Sequence, residues 1–285
     1  MYRGTMILEG GALRGVFSAG ALDFLQEKDF FIEKVVGVSA GAGNGLNFIS
    51  RQKGRMLTCT LRDGEDDGKL IDWKKAVRTR SLFDLDLLYE EDPKERHPFA
   101  FDTFFDSSMT LEIVVTNCLT GEAEYLTEKE DADRLMLMAR ASSSMPLVSP
   151  MVEMDGVPYL DGGVADSIPL LHAMKEGSRK NVLILTRNKG YRKKQSLKSA
   201  ALYRAAFRNY PELAKSLCLR PARYNHTMEL IEKWEAEGKI FVLRPQIPTI
   251  SRTESDTEAV RAFYRHGCEE MERQYGALVE FLEKK

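Results

Sequence analysis

Short apolar runs alternate with helical patterns through the first two thirds of the chain. Runs of apolar and β-branched residues predict five strands, at Met6–Leu8, Lys34–Gly37, Leu111–Thr116, Val157–Leu160 and Asn181–Thr186. Apolar residues at helical spacing lie between them and predict helices, over Val16–Gln26, Ala40–Ser50 and Asp131–Ala141. Alternating strands and helices are typical of an α/β fold, in which helices cover the faces of a sheet.

The remainder of the chain follows a different pattern. Helical patterns dominate it, at Ser196–Ser216, Tyr224–Glu237 and Asp256–Glu283, with one strand pattern at Lys239–Leu243. We therefore predict two regions, an α/β domain over 1–187 and a mainly helical C-terminal extension over 188–285. Within the first region, Arg62–Asp102 has charged, proline-containing turns around short apolar pieces, which indicates an irregular cap or lid.

Charge supports the same boundary. The segment Arg187–Arg223 contains eleven basic residues and one acidic residue, Glu212, whereas the whole chain has a net charge of −2. The segment is therefore +10 and the rest of the chain is −12, a shift that predicts a basic surface on the extension. Such a surface is either a solvated helix face or a site of peripheral contact with an anionic membrane.

Composition narrows the class of protein without naming a function. A hydrophobic content of 43% and a charged content of 29% are typical of a globular protein, and they argue against general nucleic-acid binding. The N-terminus reaches glutamate and glycine too early for a signal peptide, so we expect a cytoplasmic protein, with contact at the inner membrane face as the peripheral alternative. The four cysteines are scattered without a CxxC pair, which disfavours disulfides and zinc.

The first motif with chemical meaning is "GVSAG", from Gly37 to Gly41, which matches G-x-S-x-G. It follows a strand pattern and precedes a helix pattern, the context of a nucleophile elbow, in which flanking glycines let the serine hydroxyl stand clear of the backbone. We predict Ser39 as a nucleophile. The alternative is an ordinary turn in which Ser39 caps the following helix.

The base that would activate Ser39 is not an evident histidine. An α/β-hydrolase places several strands before its serine, and here only one strand pattern precedes the strand that leads into Ser39, so that fold is disfavoured. A carboxylate can act as the base when it is held within hydrogen-bond reach of the hydroxyl. Asp161 ends a strand pattern and is followed by Gly162 and Gly163. We predict Asp161 as the base, and the alternative is a simple Asp-Gly turn.

A second glycine turn, "EGGALRG", follows the first strand pattern. It departs from the dinucleotide fingerprint because Ala12 stands where that fingerprint needs glycine, and the Walker A lysine is absent, so nucleotide binding is disfavoured. N–H groups at such a turn can instead stabilise a tetrahedral oxyanion. The predicted oxyanion hole comprises Gly10, Gly11, Ala12, the main chain near Arg14 and, from the serine turn, Ala40, with Gly15 as a further motif glycine.

Together, "GGALRG", "GVSAG" and "DGG" resemble the motifs of the patatin-like phospholipase family, in the family's order. The resemblance covers about residues 5 to 187, and the extension resembles that of one bacterial branch. It implies a three-layer α/β sandwich with a central mixed sheet, and a lipid acyl hydrolase with a Ser39–Asp161 dyad and an acyl-enzyme intermediate. It implies no metal, no cofactor and no catalytic histidine.

One departure from the family pattern keeps an alternative open. The family usually has a third glycine at the position of Ala12, and alanine strains the turn if that position requires a positive φ. The alternatives to a phospholipase or esterase are a lipid- or acyl-binding protein without turnover and, less favoured by the motifs, a nucleotide-binding protein. Five methionines, at positions 136, 138, 145, 151 and 154, are candidates for an acyl pocket or for the core.

Overall fold

The computed structural model describes residues 1–64, 67–71 and 81–284. The strands of this part of the chain are β1 (Tyr2–Leu8), β2 (Ile32–Val38), β3 (Thr110–Asn117), β4 (Ala123–Leu126), β5 (Val152–Met154), β6 (Val157–Asp161), β7 (Asn181–Ile184) and β8 (Ile240–Leu243). They form one mixed sheet in the order β5–β6–β3–β2–β1–β7–β8, with β4 paired to β3 outside that row. The five predicted strands are confirmed, with small shifts at their ends.

The helices of the described residues are α1 (Gly15–Glu27), α2 (Ala40–Ile49), α3 (Arg55–Leu61), α4 (Phe101–Phe105), α5 (Ala132–Ser143), α6 (Leu170–Lys175), α7 (Leu197–Ala206), α8 (Pro211–Ala236) and α9 (Thr257–Glu283). A π-helix covers Leu87–Arg96. The predicted α/β fold with a mixed central sheet and a mainly helical extension is confirmed.

Both faces of the sheet are buried, as the continuous apolar runs of its parallel strands require. Side chains alternate between the faces along a strand. Met6 and Leu8 of β1 therefore join one core, which includes residues of α1, α2 and α9, whereas Ile7 joins a second core with residues of α6 and α8. The C-terminal extension thus contributes a helix to each face.

Helix α9 is tightly integrated with the first domain. A Cβ atom on Gly20 would lie 2.1 Å from the Tyr264 carbonyl oxygen, and one on Gly267 would lie 2.0 Å from the Phe17 carbonyl oxygen. Helix α1, which contains Gly20, and helix α9, which contains Gly267, therefore touch through their backbones, which only glycine permits. Because β8 also extends the sheet through β7, the extension shares one core with residues 1–187.

Two features of the extension differ from the sequence predictions. The pattern over Ser196–Ser216 is interrupted, because α7 ends at Ala206 and α8 starts at Pro211, where proline suits the first turn of a helix. Helix α8 then runs through Pro221 without a break, although proline removes one backbone hydrogen bond there. The predicted cap falls partly outside the described residues, and its described part contains the π-helix.

The sheet topology brings three chain segments to one edge. Leu8 pairs with Gly37 near the ends of the parallel strands β1 and β2, so the two glycine turns that follow are neighbours. Strand β6 runs antiparallel to β3, with Asp161 opposite Val115. The carboxyl ends of parallel strands are the usual place for ligand sites in open α/β sheets.

Candidate active site

Ser39 lies on a sharply bent backbone between β2 and α2. Its φ is 56° and its ψ is −123°, a conformation that is uncommon for a residue with a side chain and that indicates a functional constraint. The glycines of the motif allow the bend, because a Cβ atom on Gly41 would lie 2.2 Å from the Leu8 carbonyl oxygen, and one on Gly37 would lie 2.6 Å from the Cα atom of Ala42. The local geometry is that of a nucleophile elbow.

The amide of Ser39 is held by a residue that the sequence analysis did not single out. The Ser142 hydroxyl accepts a hydrogen bond of 2.8 Å from the Ser39 N–H and donates one of 2.7 Å to the Val114 carbonyl oxygen. Ser142 is fully buried at the end of α5. Ser142 therefore links the serine turn to β3. Strand β3 also pairs with β6, which ends at Asp161.

Asp161 is fixed on three sides. Its carboxylate accepts a hydrogen bond of 2.7 Å from the Gly163 N–H, its own N–H donates to the Ser144 carbonyl oxygen at 2.8 Å, and its carbonyl oxygen accepts from the Thr116 hydroxyl at 2.9 Å. A Cβ atom on Gly162 would lie 2.1 Å from the Val114 carbonyl oxygen, so this turn also needs glycine. The carboxylate is consequently held in one orientation.

The structure brings Ser39 and Asp161 together, and they are 8% and 6% exposed. Burial raises the pKa of the Asp161 carboxyl. The nearby Arg220 guanidinium, the Gly163 N–H and a hydrogen bond with the Ser39 side chain act in the opposite direction and lower that pKa. A partly desolvated carboxylate in contact with a hydroxyl is a stronger general base than one in water.

The first glycine turn faces the same place. A Cβ atom on Gly10 would lie 2.9 Å from the Ser39 Cβ, so glycine is needed for this close approach. In the part of the chain that the structure describes, no acceptor pairs with the N–H groups of Gly10, Gly11 or Ala40. The Arg14 N–H, in contrast, donates to the Gly11 carbonyl oxygen at 3.2 Å, so the main chain at Arg14 is not a free oxyanion donor as predicted.

Ala12 has a positive φ, the conformation in which alanine is strained and the family's usual glycine is not. Its φ is 50°, in the left-handed region, where an alanine costs about 1 kcal/mol relative to glycine. The Ala12 side chain contacts an apolar cluster around Leu13, Phe83 and Leu85. Alanine at this position therefore strains the turn and also contributes to an apolar wall.

The two glycine turns are locked together. The Asn44 side-chain amide donates to the Gly15 carbonyl oxygen at 2.8 Å, and Asn44 is buried in α2. A Cβ atom on Gly15 would lie 2.8 Å from the Ala40 Cβ, so the starts of α1 and α2 touch. The predicted oxyanion donors and Ser39 are thereby held in a fixed relation.

A narrow apolar cavity of about 90 Å³ opens at Ser39. Its walls come from α2, α3, the π-helix and the segment predicted as a cap, with apolar side chains from Leu46, Met56, Leu70, Phe83, Leu85 and Met145. Of the five candidate methionines, Met136 and Met145 line this cavity, whereas Met138 and Met154 are buried in the main core and Met151 packs against another cluster.

A larger, polar cavity of about 570 Å³ opens on the other side of Ser39 and includes Asp161. Arg14 is joined there by six cationic residues from the later part of the chain: Arg187, Lys193, Lys194, Arg204, Arg220 and Arg252. The carboxylates among its lining residues are Glu9 and Asp161. The strongly basic segment found in the sequence therefore lines the predicted active site.

Three side chains that could bind a metal ion lie close together in the described part of the chain. Cys59, Asp92 and His97 form one group whose ligand atoms lie within 4.8 Å of one another. Both carboxylate oxygens of Asp92, however, accept hydrogen bonds from Arg62, and burial raises the pKa of the Cys59 thiol to about 11. Because metals bind the thiolate, this donor set suits a structural ion pair better than a metal centre.

His172, the histidine nearest to a predicted motif, lies away from the dyad. Its ring stacks on Tyr125 with 3.4 Å between the ring centroids, and its Nε2 lies 2.8 Å from a Glu112 carboxylate oxygen. These contacts give His172 a packing role, away from the catalytic residues predicted from the sequence.

Comparisons with known proteins identify the family to which the chain belongs. Residues 6–174 match the family model described as patatin-like phospholipase, and residues 210–283 match a model described as a domain of unknown function, DUF6363. The uncharacterized protein YjjU of Escherichia coli K12 is 32% identical over 192 residues, which cover 64% of this chain and 51% of YjjU. The chain thus spans about half the length of this curated relative.

Among solved structures, the crystal structure of VipD from Legionella pneumophila superposes with a TM-score of 0.53 at 14% identity. The match covers 97% of this chain and 67% of VipD, and at this identity it supports the fold alone. The family match spans more than half of the chain and contains both glycine turns and the aspartate turn. The chain belongs to the patatin-like phospholipase family.

Proposed function

We propose that the protein is a lipid acyl hydrolase, a phospholipase or esterase that uses Ser39 and Asp161 as a catalytic dyad. The observation that carries the proposal is the contact between the Ser39 hydroxyl, on its bent turn, and the buried, fixed Asp161 carboxylate. Both side chains line a cavity that a substrate can enter. The match of residues 6–174 to the patatin-like phospholipase model supports a lipid ester as the substrate.

The proposed reaction is acyl transfer in two steps. In the first, the Ser39 Oγ attacks the ester carbonyl carbon while Asp161 accepts the hydroxyl proton and then delivers it to the leaving alcohol oxygen. The negative charge on the carbonyl oxygen is stabilised by the N–H groups of Gly10, Gly11 and Ala40. In the second step, Asp161 removes a proton from water as the water oxygen attacks the acyl carbonyl carbon. The bond between that carbon and the Ser39 Oγ then breaks, Asp161 returns the proton to Oγ, and the fatty acid is released.

The two cavities suit the two ends of such a substrate. The apolar cavity would receive the acyl chain, because apolar residues, mainly Leu, Met and Phe, make up most of its lining. The polar cavity would receive the alcohol part of the ester. No cofactor or metal is required for this reaction, since nucleophile, base and oxyanion donors all come from the protein.

The direct test is hydrolysis of p-nitrophenyl hexanoate by the wild type and by Ser39→Ala. We expect the substitution to lower kcat by about 10⁴-fold or more, as for other serine hydrolases that lose their nucleophile. The variant should unfold at the same temperature as the wild type, which controls for folding. Equal rates for the two proteins would refute the proposal.

Binding of an acyl group without turnover is the second candidate, and the strain at Ala12 favours it. Ala12→Gly separates the two candidates. If strain at the oxyanion turn limits catalysis, glycine should increase kcat by up to about fivefold, since roughly 1 kcal/mol is relieved. A wild type that binds fluorescent fatty acid but releases no p-nitrophenol, with or without Ala12→Gly, would favour the binding protein.

We also propose that the entrance to the polar cavity docks on an anionic membrane. Helix α7 buries none of its side chains, and Leu197 and Leu202 are 91% and 53% exposed. Lys194 and Arg204 lie beside them at the cavity, within the basic segment Arg187–Arg223. Basic residues at such a surface contribute about 1 kcal/mol each to binding of anionic lipid.

Vesicle co-sedimentation tests the docking surface. We expect binding to vesicles with anionic lipid at low salt, weaker binding at high salt, and a further loss in Leu197→Ser/Leu202→Ser. Leu171→Ser is a suitable control, because Leu171 is 47% exposed on α6 and does not line the polar cavity. Binding that is absent, or that salt does not change, would exclude docking through this surface. No helix among the described residues has the length and apolar character needed to cross a bilayer.

A further inference from the structure

The extension supplies most of the positive charge in the polar cavity, and the two carboxylates there, Glu9 and Asp161, offset only part of it. Within the described residues, the side chains of Arg14, Lys193 and Arg220 form no ion pair with a carboxylate. The Nε atoms of Arg14 and Arg220 are buried and have no hydrogen-bond partner there. Arg14 is only 7% exposed. Buried cationic donors without partners are costly, which indicates that an anionic ligand completes this site.

The one further carboxylate in the cavity is already engaged. One Glu9 carboxylate oxygen accepts hydrogen bonds from the Thr186 N–H at 2.8 Å and the Thr186 hydroxyl at 3.2 Å, and the other accepts from the Tyr224 hydroxyl at 2.9 Å. Glu9 is buried behind these partners. It offsets part of the positive charge, but it leaves the donors of Arg14 and Arg220 unpaired.

The cations lie close enough to affect one another. Burial and, to a smaller extent, the neighbouring Arg187 guanidinium lower the pKa of Arg14 to about 10. Burial and the adjacent Arg220 guanidinium lower the pKa of Lys193 well below its usual value. Positive groups held this close together are stabilised when an anion binds between them.

The cations are held in place by aromatic rings. The Lys193 ammonium lies 3.8 Å from the centroid of the Tyr224 ring, and the Arg187 guanidinium lies 4.2 Å from that of Tyr191. Lys193 also donates to the Ser167 hydroxyl at 3.0 Å. These contacts orient the charges before a ligand arrives, which lowers the entropic cost of binding.

The charged site lies next to the dyad. A Cβ atom on Gly163 would lie 3.0 Å from an Asp161 carboxylate oxygen and 3.3 Å from an Arg220 Nη atom, so Arg220 and Asp161 flank the same glycine. In a glycerophospholipid, the phosphate is separated from the acyl carbonyl by only a few bonds. An ester carbonyl at Ser39 therefore places that phosphate within the reach of Arg220 and its neighbours.

We propose that the C-terminal extension completes a phosphate subsite of the active site, centred on Arg14, Lys193 and Arg220, which selects acyl esters with a net anionic phosphate headgroup. This inference rests on the proposed hydrolase function. Arginine binds phosphate oxygens through paired N–H donors. A zwitterionic headgroup is disfavoured because its cationic group would meet the remaining lysine and arginine side chains.

The first test compares two substrates with the same acyl chain, both below their micellar concentrations so that membrane docking has no influence. These are dihexanoyl phosphatidate, with a phosphate, and p-nitrophenyl hexanoate, without one. In Arg220→Gln, we expect the ratio of kcat/KM for phosphatidate to kcat/KM for the p-nitrophenyl ester to fall by about tenfold to a hundredfold. Dihexanoyl phosphatidylcholine should be the poorer phospholipid for the wild type, and Arg220→Gln should narrow the difference.

Arg223→Gln is the matched control, since Arg223 lies on the same helix but does not line the polar cavity. We expect the specificity ratio to stay unchanged in this variant and to be partly retained in Arg220→Lys. Lys193→Gln gives an independent check if Arg220→Gln folds poorly, and it should lower the ratio as well. An equal loss on both substrates, or no change in the ratio, would overturn the proposal.

A second measurement separates this inference from the proposed function. Calorimetric titration of Ser39→Ala with glycerol 3-phosphate, and in parallel with inorganic phosphate, requires no turnover. We expect binding of glycerol 3-phosphate that Arg220→Gln weakens by about tenfold or more. If the protein binds glycerol 3-phosphate but the wild type hydrolyses neither ester, the proposed hydrolase function is contradicted and the phosphate subsite is not. Binding of inorganic phosphate without any substrate preference would show a free-phosphate site and contradict the headgroup assignment.

Discussion

The two cavities that meet at Ser39 differ in chemistry and in origin. The apolar cavity is built from residues 12–145, within the part of the chain that matches the patatin-like phospholipase model. The polar cavity takes most of its cations from residues that follow position 186. The family core therefore provides the proposed reaction centre and the apolar wall, and the extension provides most of the positive charge of the polar wall.

This difference gives the extension a role that its family description does not state. Residues 210–283 match a domain of unknown function, yet α8 brings Arg220 and Tyr224 to the cavity of the dyad. The extension also shares the sheet through β8 and the core through α9. Substitutions in the two walls should therefore change different properties of one reaction.

The largest effect is expected where the two walls meet. Asp161→Asn keeps an oxygen that can accept the Gly163 N–H but cannot take a proton, so we expect kcat to fall by about 10³-fold to 10⁴-fold for every ester. Asp166→Asn is the matched control. Asp166 accepts a hydrogen bond from the Tyr125 hydroxyl and does not line the polar cavity. Activity should be measured with short and long, neutral and anionic esters. A loss confined to one ester class would show that Asp161 belongs to one wall only.

The next effect concerns the two hydrogen bonds by which Ser142 links the serine turn to β3. Ser142→Ala leaves the buried Ser39 N–H without its acceptor, so the free energy of unfolding should fall by about 1–3 kcal/mol. Ser144→Ala should cost less, because the Ser144 hydroxyl donates only to the carbonyl oxygen of Arg140 in the preceding turn. Urea unfolding of both variants measures the difference. Equal losses of unfolding free energy in the two variants would mean that the hydrogen bond from the Ser39 N–H to Ser142 contributes no special stability.

A glycine in α2 allows the apolar wall to be changed alone. A Cβ atom on Gly43 would lie 3.7 Å from the Tyr89 hydroxyl oxygen and 3.9 Å from the Met56 sulfur, so alanine fits there but narrows the apolar cavity. We expect Gly43→Ala to lower kcat/KM for p-nitrophenyl octanoate relative to the acetate by about tenfold. It should also stabilise the helix by about 0.5–1 kcal/mol.

Gly276→Ala is the control for that experiment. Gly276 lies in α9, where an added Cβ would meet nothing within 4 Å. The same gain in helix stability is expected there, without any change in chain-length preference. A shift in preference in both variants would trace the effect of Gly43→Ala to stability rather than to the cavity.

The smallest expected effect is electrostatic: a cationic residue of the polar cavity, Arg220, changes the pKa of Asp161. Burial raises the pKa of Asp161, whereas Arg220 lowers it. The base must be ionised to act, so kcat/KM should decrease as the pH falls through this pKa. Arg220→Gln removes a lowering influence, and the acid limb of the profile for a neutral ester should move to higher pH. Arg223→Gln should leave the limb in place, and a downward shift in Arg220→Gln would contradict the assignment of the limb to Asp161.

The sequence was sufficient for features that depend on local structure. The strand–turn–helix at Gly37–Gly41 and the turn after Asp161 are short-range patterns, and the structure places both at one edge of the sheet. Ser142 was missed because its role depends on contacts with β2 and β3 that no local pattern records. The cavity role of Arg220 was missed for the same reason, since only the packing of α8 places it beside Gly163.

Labelling with a neutral fluorophosphonate, followed by intact-mass measurement and peptide mapping, tests the central claim most directly. The reagent reacts with an activated serine and forms a stable covalent adduct. We predict one adduct, on Ser39, that is lost in Ser39→Ala, forms far more slowly in Asp161→Asn and forms normally in Asp166→Asn. An unlabelled Ser39, or labelling at an equal rate in Asp161→Asn, would contradict the proposed Ser39–Asp161 dyad.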